Sequence, residues 1–322
     1  MSKQELCGVV LAAGKGSRMF PFSTRFPKPL LPVCNRPLME YQIATLADMG
    51  IRDIYIVIGH YGFEIVKALG MGERYGVRFH YVEQGEAKGI AHAVGQLEPQ
   101  IEKPFMLFLG DIYFETTDLG KMARIFEQEK INAVLATKQE DDPAAIRRNF
   151  AVIENAQGFV RRVIEKPRHI ENALKGCGLY LFDLHIFDAI RRTPRTAMRD
   201  EYEITDSIQI LIDDGYKVKS LQVVEEDINL TYPSDLLMLN LRALRASGQT
   251  VCLGQNVSLA RGVEVENAVI GDNVVIERPI RIKNSVIFPN VTFPANKDIV
   301  QAIVTENQVI SCSAMTDVES DT

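Results

Sequence analysis

The sequence predicts an α/β fold in which helices flank a mixed but mostly parallel sheet, followed by a small parallel β-helix. Up to about residue 246, short apolar runs rich in β-forming residues alternate with longer amphipathic segments, the pattern of βαβ units. After about Gly248 the helical periodicity disappears, and aliphatic residues recur at every sixth position. We therefore predict domains over 1–246 and 247–312, and a disordered acidic tail over 313–322.

Five continuous apolar runs predict strands that are covered on both faces of the sheet. They are CGVVLAAG (7–14), DIYIVIGH (53–60), PFMLFLGD (104–111), NAVLATK (132–138) and CGLYLFD (177–183). Residues 36–50 instead carry apolar side chains at helical spacing and predict a helix that stops at Gly50. Ligands of such sheets bind beyond the carboxyl ends of the strands. The residues at those ends, above all Gly14, Gly16 and Asp111, are therefore the first candidates for a binding site.

The C-terminal region carries the signal of a β-helix. Val257, Val263, Val269 and Val275 recur with a six-residue period, and the frame slips near Pro279. The remaining length allows only a few coils. An irregular antiparallel β tail is the alternative interpretation.

Charge and composition argue against several classes of protein. With 36 Lys and Arg against 42 Asp and Glu, the net charge is −6, so no bulk positive field would hold nucleic acid or an anionic membrane. The sequence shows neither a signal-peptide pattern nor an apolar segment long enough for a membrane span. Five cysteines without a CxxC pair argue against disulfides or a thiolate zinc site and favour the reducing cytoplasm.

A glycine-rich loop follows the first predicted strand and indicates a nucleotide-phosphate site. Gly14 and Gly16 leave room for backbone N–H groups to approach phosphate oxygens, and Arg18 and Lys28 can add charge-assisted contacts. The loop is neither a P-loop nor a dinucleotide fingerprint, since Met19 stands where a third glycine would be expected. A tight strand-to-helix turn without a ligand is the structural alternative.

The stretch LAAGKGSRMFPFSTRFPKPLLPVCNRPL resembles the signature of the sugar-1-phosphate nucleotidylyltransferases, and within them the glucose-1-phosphate uridylyl- and thymidylyltransferases. Similar stretches follow in the family's order over residues 6–240, namely EQGEAKGIAHAV, FLGD, VIEKP, GLYLF, EYEITDSI and YPSDLLMLN. The resemblance implies a Rossmann-like catalytic domain with a short left-handed β-helix. It also implies Mg²⁺-dependent attack by a sugar 1-phosphate on the α-phosphorus of a nucleoside triphosphate. Such a displacement needs alignment and charge neutralisation rather than an enzyme nucleophile.

The resemblance implies a nucleotide site. Its residues are Leu11, Ala13, Gly14, Gly16, Gln84 and Gly89. Arg18 would lie over the triphosphate and Lys28 beside the α-phosphate. The amide of Gln84 can pair with the edge of uracil or thymine, and a flipped amide could serve cytosine, so pyrimidines are favoured over purines. KGIAHAV is more similar to the uridylyltransferases, and His92 is expected on the following helix in a packing or supporting role.

The metal site implied by the resemblance consists of Asp111 and Asn229. Asp111 ends a strand too apolar to hold an acid inside, so its carboxylate should emerge at the sheet edge. Asn229 stands where the family usually has an aspartate, and a neutral amide oxygen binds Mg²⁺ less strongly than a carboxylate does. Asp227, two residues earlier, could substitute for it.

The acceptor site implied by the resemblance involves Lys166 on the sugar phosphate and Glu165 on sugar hydroxyls, with Asn172 and Glu201 lining the sugar pocket. One departure concerns Phe150, which stands where relatives often have a glycine. Its side chain would crowd the approach of a sugar to the backbone.

Three functions therefore remain open. The leading hypothesis is a nucleotidylyltransferase that joins UTP or dTTP to a sugar 1-phosphate. The second is a cytidylyltransferase for a non-sugar phosphate or phosphonate, and the third is a regulatory paralogue that binds nucleotide-sugar without turnover. We expect a homo-oligomer assembled through the β-helix.

Overall fold

The computed structural model describes residues 5–14, 16–24, 26–170, 173–197 and 199–312, so the predicted tail lies outside the described residues. The helices are α1 Leu38–Asp48, α2 Gly62–Leu69, α3 Ile90–Gly95, α4 Gly120–Gln128, α5 Pro143–Arg148, α6 His185–Arg192, α7 Ile204–Asp213 and α8 Pro233–Ala246. Short 3₁₀ turns occupy Ser17–Met19, Phe22–Thr24, Lys28–Leu30 and Glu73–Tyr75.

The strands of the first part of the chain are β1 Cys7–Ala12, β2 Pro32–Val33, β3 Arg36–Pro37, β4 Asp53–Ile58, β5 Arg78–Glu83, β6 Phe105–Leu109, β7 Ile112–Thr116, β8 Ala133–Gln139, β9 Phe150–Glu154, β10 Val160–Glu165, β11 Leu174–Phe182, β12 Val218–Gln222 and β13 Val224–Asn229. The C-terminal strands are β14 Val251–Leu253, β15 Ser258–Leu259, β16 Glu264–Ile270, β17 Val275–Ile276, β18 Arg281–Ile287, β19 Thr292–Phe293, β20 Ile299–Val300, β21 Ala302–Thr305 and β22 Gln308–Ser311.

The largest sheet has nine strands within the described ranges, in the order β10-β9-β11-β6-β1-β4-β5, with β8 beside β11 and β12 beside β8. Strands β6, β1, β4 and β5 run parallel, as the apolar runs predict. Strand β11 runs antiparallel to β6, β8 and β9. The predicted α/β class is confirmed, and β11 makes the sheet mixed.

The five predicted strands correspond to β1, β4, β6, β8 and β11. Every residue of β11 is buried, from Leu174 to Phe182, which explains why its sequence does not alternate between polar and apolar residues. The predicted helix over 36–50 forms as α1. No helix in the described ranges is long and apolar enough to cross a membrane.

The C-terminal strands stack in parallel with a spacing of 17 residues. Ser258 pairs with Val275, and Val275 with Thr292. The predicted six-residue frame is therefore wrong by one residue per coil, because three six-residue steps would place Val257 beside Val275. Asparagines mark one corner, where the amide of Asn256 donates to Asn273 and that of Asn273 donates to Asn290, each at 3.0 Å. All three adopt the left-handed backbone conformation that asparagine tolerates.

The β-helix prediction holds for the coils, since β14, β16, β18 and β21 pair in parallel. An antiparallel pair forms only between β21 and β22 among the described C-terminal strands. The left-handed sense of the coils stays a prediction.

The chain divides into two compact units, of which one, here called the sheet unit, contains residues 1–15 and 41–227. The other, here called the coil unit, contains residues 16–40 and 228–322. Most of the glycine-rich signature therefore belongs to the unit that carries the β-helix. The domain boundary at residue 246 stays a prediction from the sequence.

Asn240, on α8, holds the segment that follows the signature loop. Its fully buried amide donates to Pro32 O and Leu236 O at 2.9 Å and accepts from the backbone N–H of Cys34 at 2.8 Å. Asn35 in turn donates its side-chain amide to Ile270 O at 2.9 Å. Residues 32–35 are thus fixed to α8 and to the coil strand β16 within one unit.

We predict that Asn240→Leu lowers the free energy of unfolding by about 2 kcal/mol or more, because buried backbone groups of Pro32 and Cys34 lose their partner. Urea unfolding followed by circular dichroism would measure the change. Met238→Ala is the matched control, since Met238 lies on the same helix and is 53% exposed. Equal stability of both variants would show that the amide does not hold this segment.

Candidate active site

The candidate site of the sheet unit lies at the carboxyl ends of four adjacent parallel strands. Gly14 follows β1, Gly59 follows β4, Gln84 follows β5 and Asp111 follows β6. Hydrogen bonds extend the sheet past the strand ends, from Gly110 N to Leu11 O at 2.9 Å and from Gln84 N to Ile58 O at 2.8 Å. The strands thus deliver one exposed glycine, one amide and one carboxylate to a common edge.

Two glycines give this edge its shape. A Cβ atom on Gly59 would lie 2.7 Å from Ala13 O, so the ends of β1 and β4 approach closely only because residue 59 is glycine. Sequence reasoning missed Gly59. By contrast, a Cβ on Gly14 would have no heavy atom within 4 Å. The exposed backbone of Gly14 is therefore open to a ligand.

The second half of the glycine-rich loop belongs to the coil unit. Gly16 has a left-handed backbone with φ of 62°, and its α-carbon is covered by the alkyl chain of Lys28. Lys28 is only 8% exposed, whereas Arg18 is exposed. The loop is held by Phe22, whose ring stacks on Phe288 of the coils at 5.2 Å. Lys15 lies outside the described residues.

The base-reading loop predicted from the sequence runs from Gln84 to Gly89. The Gln84 side chain is nearly buried, and its Nε2 lies 2.9 Å from Nδ1 of His92. Gly89 has φ of 107°, and a Cβ there would collide with the backbone of Tyr202. The segments are joined by hydrogen bonds from Tyr202 N to Lys88 O and from Ala91 N to Tyr202 O. Gly89 thus permits close packing of two backbones.

His92 lies on α3, as predicted, in a position that supports Gln84. Its ring stacks on Tyr202 with centroids 6.1 Å apart. Burial lowers the pKa of His92, and the charge of Lys88 lowers it further, while Glu86 opposes this. The imidazole is therefore neutral at physiological pH.

Asp111 occupies the turn that joins β6 to β7, and Gln42 of α1 fixes this turn. Nε2 of Gln42 donates to Leu109 O at 2.9 Å and to Ile112 O at 2.8 Å. Gln42 is 3% exposed, and its Oε1 is buried without a hydrogen-bond partner. Gln42 appeared in the sequence only as part of a helical face, so its role as a clamp was missed.

The predicted metal ligands have suitable chemistry. Asp111 offers a half-buried carboxylate and Asn229 an exposed amide oxygen at the end of β13, and both are hard oxygen donors of the kind that Mg²⁺ prefers. Among the residues that the structure describes, no three His, Cys, Asp or Glu side chains form a metal cluster. Magnesium bound through one or two protein ligands takes the others from water or substrate phosphates.

The suggestion that Asp227 could replace Asn229 is wrong, because its carboxylate is already engaged. Its side chain is 3% exposed, and Oδ1 accepts from Nζ of Lys175 at 2.7 Å. Lys138 lies 3.7 Å from the same oxygen and also pairs with Glu226. Burial raises the pKa of Asp227, and the charge of Lys175 opposes the rise.

A cluster of opposite charges lies at the end of β10. Glu165 accepts from Arg199 Nη1 and from the hydroxyl of Thr205, both at 3.3 Å, and the other arm of Arg199 lies 3.2 Å from Glu203. Nζ of Lys166 lies 3.9 Å from Glu165 and is 47% exposed. Lys166 is a non-glycine residue with φ of 44°, a strained conformation of the kind that persists at binding sites.

Two carboxylates flank Arg199 in this cluster. Burial raises the pKa of Glu165, while Arg199 and Lys166 oppose the rise. Burial also raises the pKa of Glu203, as does the nearby charge of Glu165. Two acids thus share one partly buried guanidinium, and Lys166 remains the more exposed cation. Arg199 and Glu203 were missed by sequence reasoning, although Glu203 lies in the EYEITDSI stretch.

The remaining predictions for the sugar pocket have different outcomes. The backbone carbonyl of Glu201 accepts hydrogen bonds from the N–H and the hydroxyl of Thr196. The Glu201 side chain is half-buried, and its role in a sugar pocket stays a prediction. Asn172 lies outside the described residues.

The phenyl ring of Phe150 lies in the core, contrary to the expectation that it crowds an open approach. It is 5% exposed, stacks on Tyr180 with centroids 6.1 Å apart, and covers the α-carbon of Gly176. Gly176 has no side chain, and this absence makes room for the ring. The sequence alone could not reveal this compensation, because the two residues are joined only by strand pairing between β9 and β11.

A cavity of the sheet unit lies away from this site. It encloses about 800 Å³ at the opposite end of the sheet, next to Arg52, Asp53, Lys103 and Arg124. Its charges are paired with one another, as in Arg124 with Asp118 and Lys103 with Asp53. The strand-end site is the better candidate, since it gathers glycines and polar groups where parallel sheets bind ligands.

One family profile and several known proteins match this chain. The profile of the Nucleotidyl transferase family matches residues 7–228. The low-salt glycan biosynthesis nucleotidyltransferase Agl11 of Haloferax volcanii is 35% identical over 72% of this chain and 64% of its own length. The chain thus covers less than two thirds of that relative.

Two further likenesses cover nearly the whole of the compared protein. The UTP–glucose-1-phosphate uridylyltransferase AglF of Haloferax volcanii is 33% identical over 70% of this chain and 92% of its own length. The crystal structure of a UDP-glucose pyrophosphorylase complexed with UDP-glucose superposes with a TM-score of 0.66, covering 75% of this chain and 99% of the other at 20% identity. At that identity the likeness supports the fold alone.

We predict that Gly89→Ala destabilises the protein by about 2 kcal/mol or more, because a Cβ meets the backbone of Tyr202 and the positive φ is strained. Thermal unfolding would measure the loss. Gly85→Ala, in the same loop, should change stability by less than about 0.5 kcal/mol, since no heavy atom lies within 4 Å of its Cβ position. Indistinguishable variants would contradict the packing role of Gly89.

Proposed function

Because this chain belongs to the nucleotidyl transferase family, we propose that it transfers a nucleotidyl group from UTP or dTTP to a sugar 1-phosphate, releasing pyrophosphate. The observation that carries the proposal is the charged cluster at the end of β10. Lys166 and Arg199 lie 3.9 Å and 3.3 Å from the same oxygen, Oε1 of Glu165, so two cations and an acceptor lie close together. A phosphate monoester with neighbouring hydroxyl groups matches that combination.

The proposed reaction needs no nucleophile from the protein. A phosphate oxygen of the sugar 1-phosphate attacks the α-phosphorus of the nucleotide, an O–P bond forms, and the bond to the pyrophosphate oxygen breaks. The chain's residues bind, align and neutralise. Lys166 holds the attacking phosphate with support from Arg199, while Glu165 accepts from a sugar hydroxyl. The open backbone of Gly14 lets the triphosphate approach the end of β1, and Arg18 and Lys28 keep the phosphate-binding roles that the sequence predicts.

Mg²⁺ is the cofactor that we propose, bound by Asp111 and Asn229. The ion would neutralise charge on the phosphate oxygens. Gln42 fixes the carbonyls on both sides of the Asp111 turn, so the position of this carboxylate is set by a buried side chain from α1. The turn is thus prepared for a ligand before one binds.

A pyrimidine base is proposed for the pocket beside Gln84. The amide presents one donor and one acceptor, which matches the donor and acceptor pattern of uracil or thymine. The relatives of this chain include the uridylyltransferase AglF, which supports the same choice.

Pyrophosphate release across four nucleoside triphosphates, each with a panel of sugar 1-phosphates and several non-sugar phosphates, tests this function. We predict release confined to UTP or dTTP with a hexose 1-phosphate. Release only with CTP and a small non-sugar phosphate would replace the proposal with a cytidylyltransferase. No release from a folded protein that binds nucleotide-sugar would replace it with a regulatory role.

Asp111→Asn tests the cofactor. We predict that kcat falls by about 100-fold or more, as for loss of a principal electrostatic group, and that the Mg²⁺ concentration for half-maximal rate rises. Steady-state rates over a magnesium titration measure both. Asp118→Asn is the control, because Asp118 is an exposed acid paired with Arg124. Near-normal kcat and magnesium dependence in the Asp111 variant would remove this residue from the site.

Two further proposals concern the whole protein. We propose a homo-oligomer joined through the coils, and a single monomer mass in light scattering would contradict it. The cytoplasm remains the proposed location, consistent with cysteines that are all unpaired, namely Cys7, Cys34, Cys177, Cys252 and Cys312.

A further inference from the structure

The side-chain amide of Gln84 is oriented by a single polar neighbour. Nε2 of Gln84 lies 2.9 Å from Nδ1 of His92. The side chain of Gln84 is 5% exposed, so water gives the amide little alternative. A neutral imidazole with an unprotonated Nδ1 can only accept at that atom, so the amide nitrogen must be the group that faces it.

The surroundings of His92 hold its ring in place and favour the neutral form. The ring is held on α3 and stacks on Tyr202 at an interplanar angle of 23°. The charged groups around it are Lys88 and Glu86 of the preceding loop, which pair with each other at 2.5 Å, and Arg195, which lies over the Tyr202 ring at 5.8 Å. Burial lowers the pKa of His92 and so favours the neutral ring. The contact itself assigns the tautomer, because the amide nitrogen of Gln84 can only donate, which makes Nδ1 the acceptor and leaves the ring proton on Nε2.

The amide orientation decides which pyrimidine can pair with Gln84. At N3, uracil and thymine carry a donor, whereas cytosine carries an acceptor. The exocyclic group at C4 is reversed in the same way, from a carbonyl acceptor in uracil and thymine to an amino donor in cytosine. One amide orientation therefore serves uracil and thymine, and the flipped orientation serves cytosine. Flipping Gln84 would place its Oε1 against the lone pair of Nδ1. The flipped amide would therefore either lose this hydrogen bond at a nearly buried position or require the ring proton to move from Nε2 to Nδ1.

We propose that His92 is a specificity-determining residue that locks the amide of Gln84 and so makes the enzyme prefer uracil or thymine over cytosine. This inference rests on the proposed function, because it requires Gln84 to face the base. His92 acts through Gln84 and is a positioning residue.

The test compares His92→Phe, which keeps a ring to stack on Tyr202 but has no nitrogen, with His92→Asp, whose carboxylate can only accept. For each protein, kcat/KM is measured with UTP and CTP and the same acceptor, and equilibrium binding of both nucleotides is measured by calorimetry. We expect the UTP-to-CTP ratio to fall by about tenfold or more in His92→Phe, the equivalent of one lost buried hydrogen bond. His92→Asp should keep most of the ratio. His185→Phe is the control, since His185 is a surface histidine paired with Asp183.

The outcomes separate the lock from the function. An unchanged UTP-to-CTP ratio in a folded His92→Phe protein would overturn the lock and leave the proposed function intact. Equal loss in His92→Phe and His92→Asp would also overturn it, because acceptance at Nδ1 would then not matter. If the unaltered protein has no turnover, the binding ratio still tests the lock. A preference of the unaltered protein for purines would overturn both.

Discussion

Parallel pairing of β6, β1, β4 and β5 is the constraint on which the rest of the candidate site depends. Because these four strands run in one direction, the chain leaves the sheet four times at the same edge. A glycine, an amide and a carboxylate from distant parts of the sequence therefore meet without any dedicated loop to bring them together. Gly59 lets the ends of β1 and β4 close to van der Waals distance, and Gln42 fixes the turn after β6. Loss of this alignment would scatter the candidate ligands.

The charged side chains at the end of β10 are partly buried and paired with one another. Glu165, Arg199 and Glu203 are packed together, and each carboxylate keeps a cation within 3.3 Å. A second buried group of charges, Lys138, Lys175 and Asp227, ties β8 and β11 to β13. Pairs of this kind confer little net stability, yet removal of one partner leaves an unpaired buried charge. In the first cluster the unequal burial leaves Lys166 more exposed than Arg199 and therefore available to an anion.

The sequence predicted those features that follow from a single physical property of the residues. Apolar runs without alternation predicted β1, β4, β6, β8 and β11, since only strands covered on both faces tolerate them. Roles that depend on tertiary packing could not be predicted in that way. Arg199 and Gln42 look like ordinary surface and helix residues until the fold brings Glu165 or the Asp111 turn to them. The coils repeat every 17 residues rather than every 18, and the six-residue aliphatic period does not record this difference. From the sequence, Phe150 was expected to obstruct the approach of a sugar. Its partner Gly176 is 26 positions away in the sequence and lies beside Phe150 only because β9 and β11 are paired.

The central claim is that the nucleotide binds at the carboxyl edge of β1, β5 and β6. Hydrogen exchange followed by mass spectrometry, with and without UTP and Mg²⁺, tests it most directly. If the nucleotide binds at this edge, hydrogen exchange should slow in segments 11–14, 84–91 and 109–112 on binding. Protection confined to the opposite end of the sheet, around Arg52, Lys103 and Arg124 beside the cavity of about 800 Å³, would contradict binding at the carboxyl edge.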